Sequence, residues 1–359
     1  MEKIKRFFEC LVPVTACNLK CSYCYVIQRD NRKLEIPKLQ YSVKEIGYAL
    51  RKERMGGVCF FSICGAGETL LADQIVELVQ EILRQGHYVN ITTNGTITHQ
   101  FDRLAQFDKE LLQRLHISFS FHYLELKRIN FIDRFFENIN HMKMVGCSVL
   151  VQLNMCDEYE PFLNDIFEMC VNNVGAPPQV APTRAEIDLN NNIRLFTGHT
   201  YEEYLDMARK FESPLFDFNM KNFNIKRKEF CYAGDWSGVL NLNTGILHKC
   251  YFYGKEGIHL YENPESNIHF CAVGRCGSPY CMNSSHFLTM GVIPELYSDY
   301  TYSGLRNRET AHWYNDLMQQ VLNYKLSECN KEYSSVKKLF VSCKTGIYIK
   351  LKRLKHLLK

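Results

Sequence analysis

The sequence contains no uninterrupted apolar run long enough to span a membrane. Residues 1–9 are charged and no apolar segment typical of a secretory signal follows them, so we expect a cytoplasmic protein. The formal net charge of +4 is too small to indicate a nucleic-acid partner. No internal repeat or low-complexity segment occurs. The overall composition, with 46% hydrophobic and 23% charged residues, is typical of a globular protein with a sizeable core.

Cysteine, in contrast, is abundant, with 16 residues in a chain of 359. Disulfide frameworks belong to secreted proteins, whereas cysteine-rich enzymes of a reducing cytoplasm more often bind metal. The composition therefore favours metal binding.

The first part of the chain alternates short apolar runs with amphipathic stretches. Helix patterns such as "ADQIVELVQEILRQG" and "KRINFIDRFFENINHMKMVG" lie between the apolar runs and each stops at a glycine. About six βα units in succession predict an α/β fold with a parallel sheet, either open or a partial (β/α)6 barrel. Function in such sheets gathers at the carboxyl ends of the strands. The predicted strands are 8–14, 58–63, 88–93, 116–121, 148–154 and, more weakly, 179–183.

The character of the sequence changes after Pro214. Residues 215–300 are rich in Asn, Gly, aromatic residues and cysteine, and they show little helical periodicity. This predicts three parts: an α/β core over 1–212, a small loop-rich domain over 213–300, and a helical C-terminal segment with a basic tail over 301–359.

The stretch "ACNLKCSYCY" places Cys17, Cys21 and Cys24 just after the first predicted strand. Structural zinc sites need four ligands, whereas a [4Fe–4S] cluster held by three thiolates leaves one iron open for another ligand. The alternative is that these residues form part of a zinc site or are ordinary core thiols.

This spacing resembles the CxxxCxΦC signature of the radical S-adenosylmethionine (SAM) superfamily, with Tyr23 as the aromatic residue. The resemblance implies that the open iron chelates SAM and that SAM is cleaved to a 5′-deoxyadenosyl radical. "ICGAGETLL" resembles the family's GGE motif, which implies that Gly65, Gly67 and Glu68 contact the amino group of SAM. Ala66 departs from that motif, where a second glycine is usual.

Further positions follow from the same resemblance. Asn94, Ser118 and Arg134 match family positions that contact SAM, and with Tyr23 they complete the predicted cofactor-binding set. The usual "DG" after the fourth strand is replaced here by "FHY". His122 and Tyr123 in that stretch are the candidate catalytic residues, for proton transfer and hydrogen-atom donation; alternatively, they only cap the strand and pack.

A second cysteine set lies downstream. "CYAGDWSGVLNLNTGILHKC" resembles the opening of the SPASM and twitch extensions of radical SAM enzymes, which hold auxiliary iron–sulfur clusters. "CAVGRCGSPYC" adds three more cysteines, and the continuation of a full SPASM domain is absent. The resemblance implies one auxiliary cluster, with Cys271 as a possible alternate ligand and a zinc knuckle as the alternative site. The predicted ligands are Cys231, Cys250, Cys276 and Cys281.

By resemblance, the substrate is a ribosomally made peptide or a carbohydrate, and the electron donor is a flavodoxin or ferredoxin. The first strand starts too early to leave room for a leader-binding domain before it, which weakens the peptide alternative slightly. The tail "GIYIKLKRLKHLLK" is a weaker candidate for contact with a membrane surface; a helix packed on its own domain is the favoured alternative. The competing function is a non-catalytic zinc- or cluster-binding interaction protein.

Overall fold

The computed structural model describes residues 2–185, 193–253, 257–281, 284–296 and 299–357. The last two residues of the predicted basic tail lie outside these ranges. The strands are β1 Arg6–Val12, β2 Cys59–Gly65, β3 Tyr88–Thr93, β4 Leu115–Ser120, β5 Ser148–Met155, β6 Gln179–Pro182, β7 Arg184–Ala185, β8 Arg194–Leu195, β9 Phe230–Cys231, β10 Ser237–Asn241, β11 Ile246–His248, β12 Gly257–His259 and β13 Gly274–Arg275.

Helices follow most strands of the first half and dominate the last part of the chain. The helices are α1 Tyr25–Gln28, α2 Val43–Ala49, α3 Lys52–Met55, α4 Gln74–Arg84, α5 Thr98–Leu104, α6 Lys109–Leu112, α7 Tyr123–Arg128, α8 Ile132–Met144, α9 Leu163–Val174, α10 Tyr201–Arg209, α11 Pro214–Lys221, α12 Ser284–Phe287, α13 Tyr302–Arg306, α14 Asp316–Asn323 and α15 Ser335–Leu357. No helix in the described ranges combines the length and apolar character needed to cross a membrane.

The central sheet has the order β12-β11-β10-β1-β2-β3-β4-β5-β6 within the described residues. Strands β1 to β6 run parallel, in sequence order, with crossover helices between them. The predicted α/β fold, a partial barrel of six parallel strands with a helical C-terminal part, is confirmed. Each of the six predicted strands is present, with ends that shift by no more than two residues.

Strand β10 adds to the other edge of β1, also in parallel, and β11 and β12 follow it antiparallel. The sheet thus continues into the segment that was predicted as a separate loop-rich domain. Hydrogen bonds of this ladder join residues more than two hundred positions apart, so local sequence patterns carry no sign of them. The predicted domain boundaries stay predictions.

One face of the parallel strands carries a row of polar side chains. Glu9, Ser62, Asn90, His116 and Ser148 lie in register on β1 to β5. Nδ1 of His116 lies 2.7 Å from Oδ1 of Asn90, and Nδ2 of Asn90 donates to Ser62 Oγ at 3.1 Å. Buried polar groups need such partners, and this row supplies them across neighbouring strands.

The segment around α12 to α14 packs on this polar face. His286 contacts the carboxylate of Glu9, and the ring of Tyr314 lies 4.7 Å from that of His116. The backbone N–H of Asn315 donates to Ser148 Oγ at 3.0 Å. The predicted C-terminal part therefore closes one side of the sheet.

The helix predicted over "KRINFIDRFFENINHMKMVG" is two helices in the structure, so that prediction was wrong in part. Asn130 has a φ of +52° between α7 and α8. Asparagine is one of the few residues that tolerate this left-handed region, which ends α7 and allows the chain to turn. Helix α10 begins with a capping box, since the Thr200 side chain accepts from the Glu203 backbone and the Glu203 side chain accepts from the Thr200 backbone.

The buried side chain of His87 makes the free energy of unfolding sensitive to acid. It is fully buried, Nδ1 accepts from the backbone of Cys59, and Nε2 lies 2.7 Å from the Leu50 carbonyl. Burial lowers the pKa of His87 to about 4, below its value in the unfolded chain, so its stabilising effect is lost as the pH falls from about 6.5 towards 4.

We expect the protonation equilibrium of His87 alone to lower the free energy of unfolding by about 1–2 kcal/mol as the pH falls from about 7 to about 5. Urea unfolding across this range should show a shallower decline in His87→Asn than in the unaltered protein, although the variant is less stable at neutral pH. An identical decline in both proteins would contradict this assignment.

Candidate active site and cysteine pocket

The first three predicted ligands lie in the loop between β1 and α1, at the carboxyl edge of the sheet. The backbone N–H of Cys24 donates to the Cys21 carbonyl at 3.1 Å, which turns the loop. Burial raises the pKa of the Cys21 thiol to about 12, and the charges of Cys17 and Cys24 add to the rise. The three sulfurs therefore lie close enough to affect one another's charge.

Two N–H groups point at the sulfur of Cys17. The backbone N–H of Leu19 donates to Sγ at 3.4 Å, and Nδ2 of Asn94 donates to Sγ at 3.6 Å. Asn94 also bonds the side chain of Asn18 at 2.8 Å, so it joins the loop after β3 to the cysteine loop. Hydrogen bonds to a ligand sulfur tune the reduction potential of an iron–sulfur cluster.

The glycine loop after β2 is tied directly to the cysteine loop. Gly67 N–H donates to the Val14 carbonyl at 2.6 Å, and Glu68 N–H donates to the Ala16 carbonyl at 2.9 Å. A Cβ atom on Gly67 would lie 1.9 Å from the carbonyl oxygen of Ala16, so only glycine fits this close approach. Ala66, the departure from the motif, is half-buried and sits in the same loop.

Glu68 is a buried carboxylate whose oxygens bond to the chain itself. Oε1 accepts from Leu70 N–H at 2.9 Å and from the Thr93 hydroxyl at 2.7 Å, while Oε2 accepts from Asn94 N–H at 2.6 Å. Burial raises its pKa despite these bonds. Each carboxylate oxygen can accept two hydrogen bonds. Oε1 already accepts two and Oε2 accepts one, so the remaining acceptor position for the amino group of SAM is on Oε2.

The two remaining SAM-contact candidates, Ser118 and Arg134, lie in different parts of the structure. Ser118 is buried in β4 and donates to Oδ1 of Asn90 at 2.9 Å, next to the polar row. Arg134 has an exposed side chain and pairs with Glu137 at 2.8 Å on the outer side of α8. The structure does not bring Arg134 to the cysteines, because Phe135 and its apolar neighbours occupy the buried face of that helix.

The two candidate catalytic residues also differ in position. The hydroxyl of Tyr23 lies 2.7 Å from Nδ1 of His122 and 3.0 Å from the hydroxyl of Tyr159. Burial lowers the pKa of His122 to about 4, so this ring is neutral near pH 7. Tyr123, in contrast, is buried among aromatic rings, with its hydroxyl 3.3 Å from Nζ of Lys127.

Two further residues, Tyr159 and Glu125, complete this site. Tyr159 comes from the 3-10 turn after β5 and completes the Tyr23–His122 group, but nothing in its sequence surroundings indicates this. Glu125 accepts from Lys20 N–H at 2.6 Å and pairs with Arg128 at 2.8 Å, which holds the cysteine loop against α7. Glu125 follows the fourth strand closely in the sequence, and this position is the sequence feature that points to a place at the site.

The second cysteine set meets in one pocket. The four predicted ligands come from separated positions in the sequence, and they meet there because β9 and β13 pair and the β11 hairpin leads back to them. Burial raises the pKa of Cys250 to about 12, with further rises from the charges of Cys276 and Cys281. Cys271 is not among the described residues that line the pocket. The four cysteines in its lining are Cys231, Cys250, Cys276 and Cys281.

Both sets fit thiolate ligation of iron–sulfur clusters in the chemistry of their donors. All sixteen cysteines belong to the described residues, and each is a free thiol. Apolar side chains such as Val273, Phe287 and Ile293 surround the four-cysteine pocket, as expected for a site that excludes water. In the described ranges, no three His, Cys, Asp or Glu side chains form a group that could hold one metal ion.

Solved structures that are similar to this chain include those of SuiB and anSMEcpe. SuiB of Streptococcus suis bound to S-adenosylmethionine is 16% identical, with a TM-score of 0.50, over 72% of this chain and 64% of SuiB. SuiB bound to the precursor peptide SuiA gives a TM-score of 0.46 at 16% identity, over 73% and 63%. Native anSMEcpe with bound AdoMet gives 0.46 at 15% identity, over 73% of this chain and 79% of that one.

At these identities the likeness to SuiB concerns the fold, and this chain spans less than two thirds of the length of SuiB. No curated protein sequence matches the chain. The sequence profile of the Radical SAM superfamily matches residues 11–159, which include the end of β1, strands β2 to β5, the three-cysteine loop, the glycine loop and Asn94. The chain therefore contains a radical SAM domain, and the family resemblance of its cysteine motif is confirmed.

Proposed function

We propose that this protein reductively cleaves SAM and uses the product to abstract hydrogen from a substrate. The single observation that supports this most is the cysteine loop of residues 17–24. It is tied to the glycine loop and to Asn94 at the carboxyl edge of a parallel sheet. A [4Fe–4S] cluster with SAM on its open iron supplies a 5′-deoxyadenosyl radical when both are bound.

The chain's own residues hold and shield this site. Cys17, Cys21 and Cys24 would hold the cluster, while Asn94 donates to the Cys17 sulfur and so would lower the electron density on that ligand. Glu68 keeps the loops after β2 and β3 together and offers its remaining acceptor position to the amino group of SAM.

The Tyr23 group lies beside the cysteine loop and is the proposed proton-handling part of the site. Neutral His122 can accept a hydrogen bond from the Tyr23 hydroxyl at Nδ1 and carry its own proton on the other nitrogen, while burial raises the pKa of Tyr23 and keeps its hydroxyl protonated. Tyr159 fixes the same hydroxyl from its other side. Tyr123 supports this group by packing, with its ring centroid 6.4 Å from that of Tyr159.

We propose an auxiliary iron–sulfur cluster in the four-cysteine pocket. Its role would be to accept the electron left after hydrogen abstraction or to contact substrate. Sixteen free thiols suit a reducing compartment such as the cytoplasm, where flavodoxin or ferredoxin would supply electrons.

The proposed substrate is a peptide or a carbohydrate. SuiB, which shares the fold, is described with a precursor peptide. A peptide is therefore the first substrate class to try, and a carbohydrate is the second.

Anaerobic reconstitution with iron and sulfide, followed by reduction in the presence of SAM, tests the proposal directly. We expect about seven to eight irons per chain, the sum for two clusters, and the release of 5′-deoxyadenosine and methionine. The same preparation without reductant is the control and should release neither product.

A protein that binds stoichiometric zinc and releases no 5′-deoxyadenosine would overturn the proposal and support a non-catalytic interaction protein. Iron binding at both sites with no SAM cleavage would also contradict it, since the clusters would then have no radical chemistry.

A further inference from the structure

Helix α15 presents a row of large apolar side chains to solvent. Successive members are three, one, seven and four residues apart, so they lie along one face of the helix over four turns. Single exposed apolar residues are ordinary on protein surfaces, but a contiguous stripe marks an interaction surface. The members of this outer stripe, with exposed fractions from 55% to 79%, are Val336, Leu339, Phe340, Ile347 and Leu351.

The opposite face of α15 already anchors the helix to the protein. Val341 and Thr345 are buried, and the Thr345 hydroxyl donates to the Val273 carbonyl at 2.6 Å. The ring of Tyr348 lies 6.1 Å from that of Tyr253, and a side chain at Gly277 would collide with Ile349. The outer stripe is therefore not needed for packing within the described part of the chain.

The charge of α15 has one sign. Seven of its 23 residues are Lys or Arg, and none is Asp or Glu. By helical period, Lys337 and Lys344 border the outer stripe on one side, and Lys350 lies within its angular range near the C-terminal end of the stripe. Lys338 points to the anchored face, where it pairs with Glu332 and Glu295.

We propose that the outer stripe of α15 docks on an anionic membrane surface. An interfacial helix buries its apolar face at the level of the acyl boundary, and its lysines extend their charged ends to the headgroups. The stripe from Val336 to Leu351 is about 22 Å long at 1.5 Å per residue, and it lies along one helix. A flat, anionic, partly apolar surface matches this shape and charge.

A second copy of the chain is a poorer occupant. Pairing two such helices would bring seven positive charges of one copy beside seven of the other, with no acidic side chain on either helix to offset them. The proposal does not depend on radical SAM chemistry, so either can fail alone.

Sedimentation of the reconstituted full-length protein with lipid vesicles tests the proposal. We expect binding to phosphatidylcholine vesicles that contain phosphatidylglycerol to be on the order of tenfold tighter than to phosphatidylcholine alone, and to weaken as salt is raised. Phe340→Ser and Leu339→Ser should lose most of this binding. Met144→Ser is the matched control, because Met144 is 79% exposed on α8 and lies outside the stripe.

Each variant should keep the iron content and thermal stability of the unaltered protein, which excludes misfolding as the cause. Equal binding to both vesicle types, no binding, or unchanged binding of Phe340→Ser would overturn the proposal. Binding to polyglutamate without binding to vesicles would overturn it in favour of an acidic protein partner. A dimer that Phe340→Ser dissociates, with no vesicle binding, would overturn it in favour of a second copy.

Discussion

Replacing Cys24 by alanine is expected to abolish SAM cleavage while leaving iron in the four-cysteine pocket. The variant keeps only two of the three thiols of its loop, and a [4Fe–4S] cluster cannot be held securely by two. Iron content should fall by about four per chain, and 5′-deoxyadenosine should fall below detection. The fold should persist, because the Cys24 side chain is half-buried and makes no cap hydrogen bond to α1.

Two further variants give this experiment its reciprocal controls. Cys250→Ala should also lose about four irons, but it should still cleave SAM, because Cys250 lines the pocket proposed for the auxiliary cluster and not the three-cysteine loop. Cys271→Ala should lose none, because Cys271 does not line the pocket within the described residues. Normal iron content in Cys250→Ala, or a loss in Cys271→Ala, would contradict the assigned ligand set. Cleavage that survives in Cys24→Ala would contradict the role of the three-cysteine loop.

Gly67→Ala is expected to have the second largest effect, by displacing the cysteine loop. The added methyl carbon would lie 1.9 Å from the Ala16 carbonyl oxygen and 2.7 Å from backbone carbons of Thr15 and Ala16. These are backbone atoms, so relief requires the two loops to separate and the Gly67–Val14 hydrogen bond to break. Overpacking of this kind costs about 1–3 kcal/mol of stability.

Gly346→Ala is the matched control, since its Cβ would meet no atom within 4 Å and the residue lies on α15, outside the predicted SAM-binding set. Thermal unfolding and iron analysis of the two variants compare them directly. We expect Gly67→Ala to lose iron from the three-cysteine loop and most SAM cleavage, with Gly346→Ala close to the unaltered protein. Equal behaviour of the two variants would show that the close approach has no functional importance.

The parallel sheet could be predicted from sequence because its strands are local apolar runs separated by helix patterns. The run "VCFFSI" became β2 and the run at 88–93 became β3 with the same ends. The break at Asn130 was not predictable from periodicity, since apolar residues continue on both sides of it. The pairing of β10 with β1 depends on contacts between distant residues, which no local pattern records.

At the site, spacing identified the cysteines, whereas the partners of each side chain required the fold. The glycine–acid motif indicated Glu68, but not that its oxygens would bond Thr93 and Asn94. Arg134 matched a family position in sequence, yet the phase of α8 turns it outward. Tyr159 reaches Tyr23 only because the turn after β5 folds back over the cysteine loop.

The ladder between β1 and β10 has a consequence for electron movement. β1 leads into the loop of Cys17, and the hairpin that starts with β10 leads to Cys250. Separating the Cys17 loop from the region of Cys250 would require breaking a row of backbone hydrogen bonds inside a continuous sheet. An electron that moves between these regions would therefore cross a fixed distance. Its transfer rate would depend on the reduction potentials of the two sites and not on hinge motion.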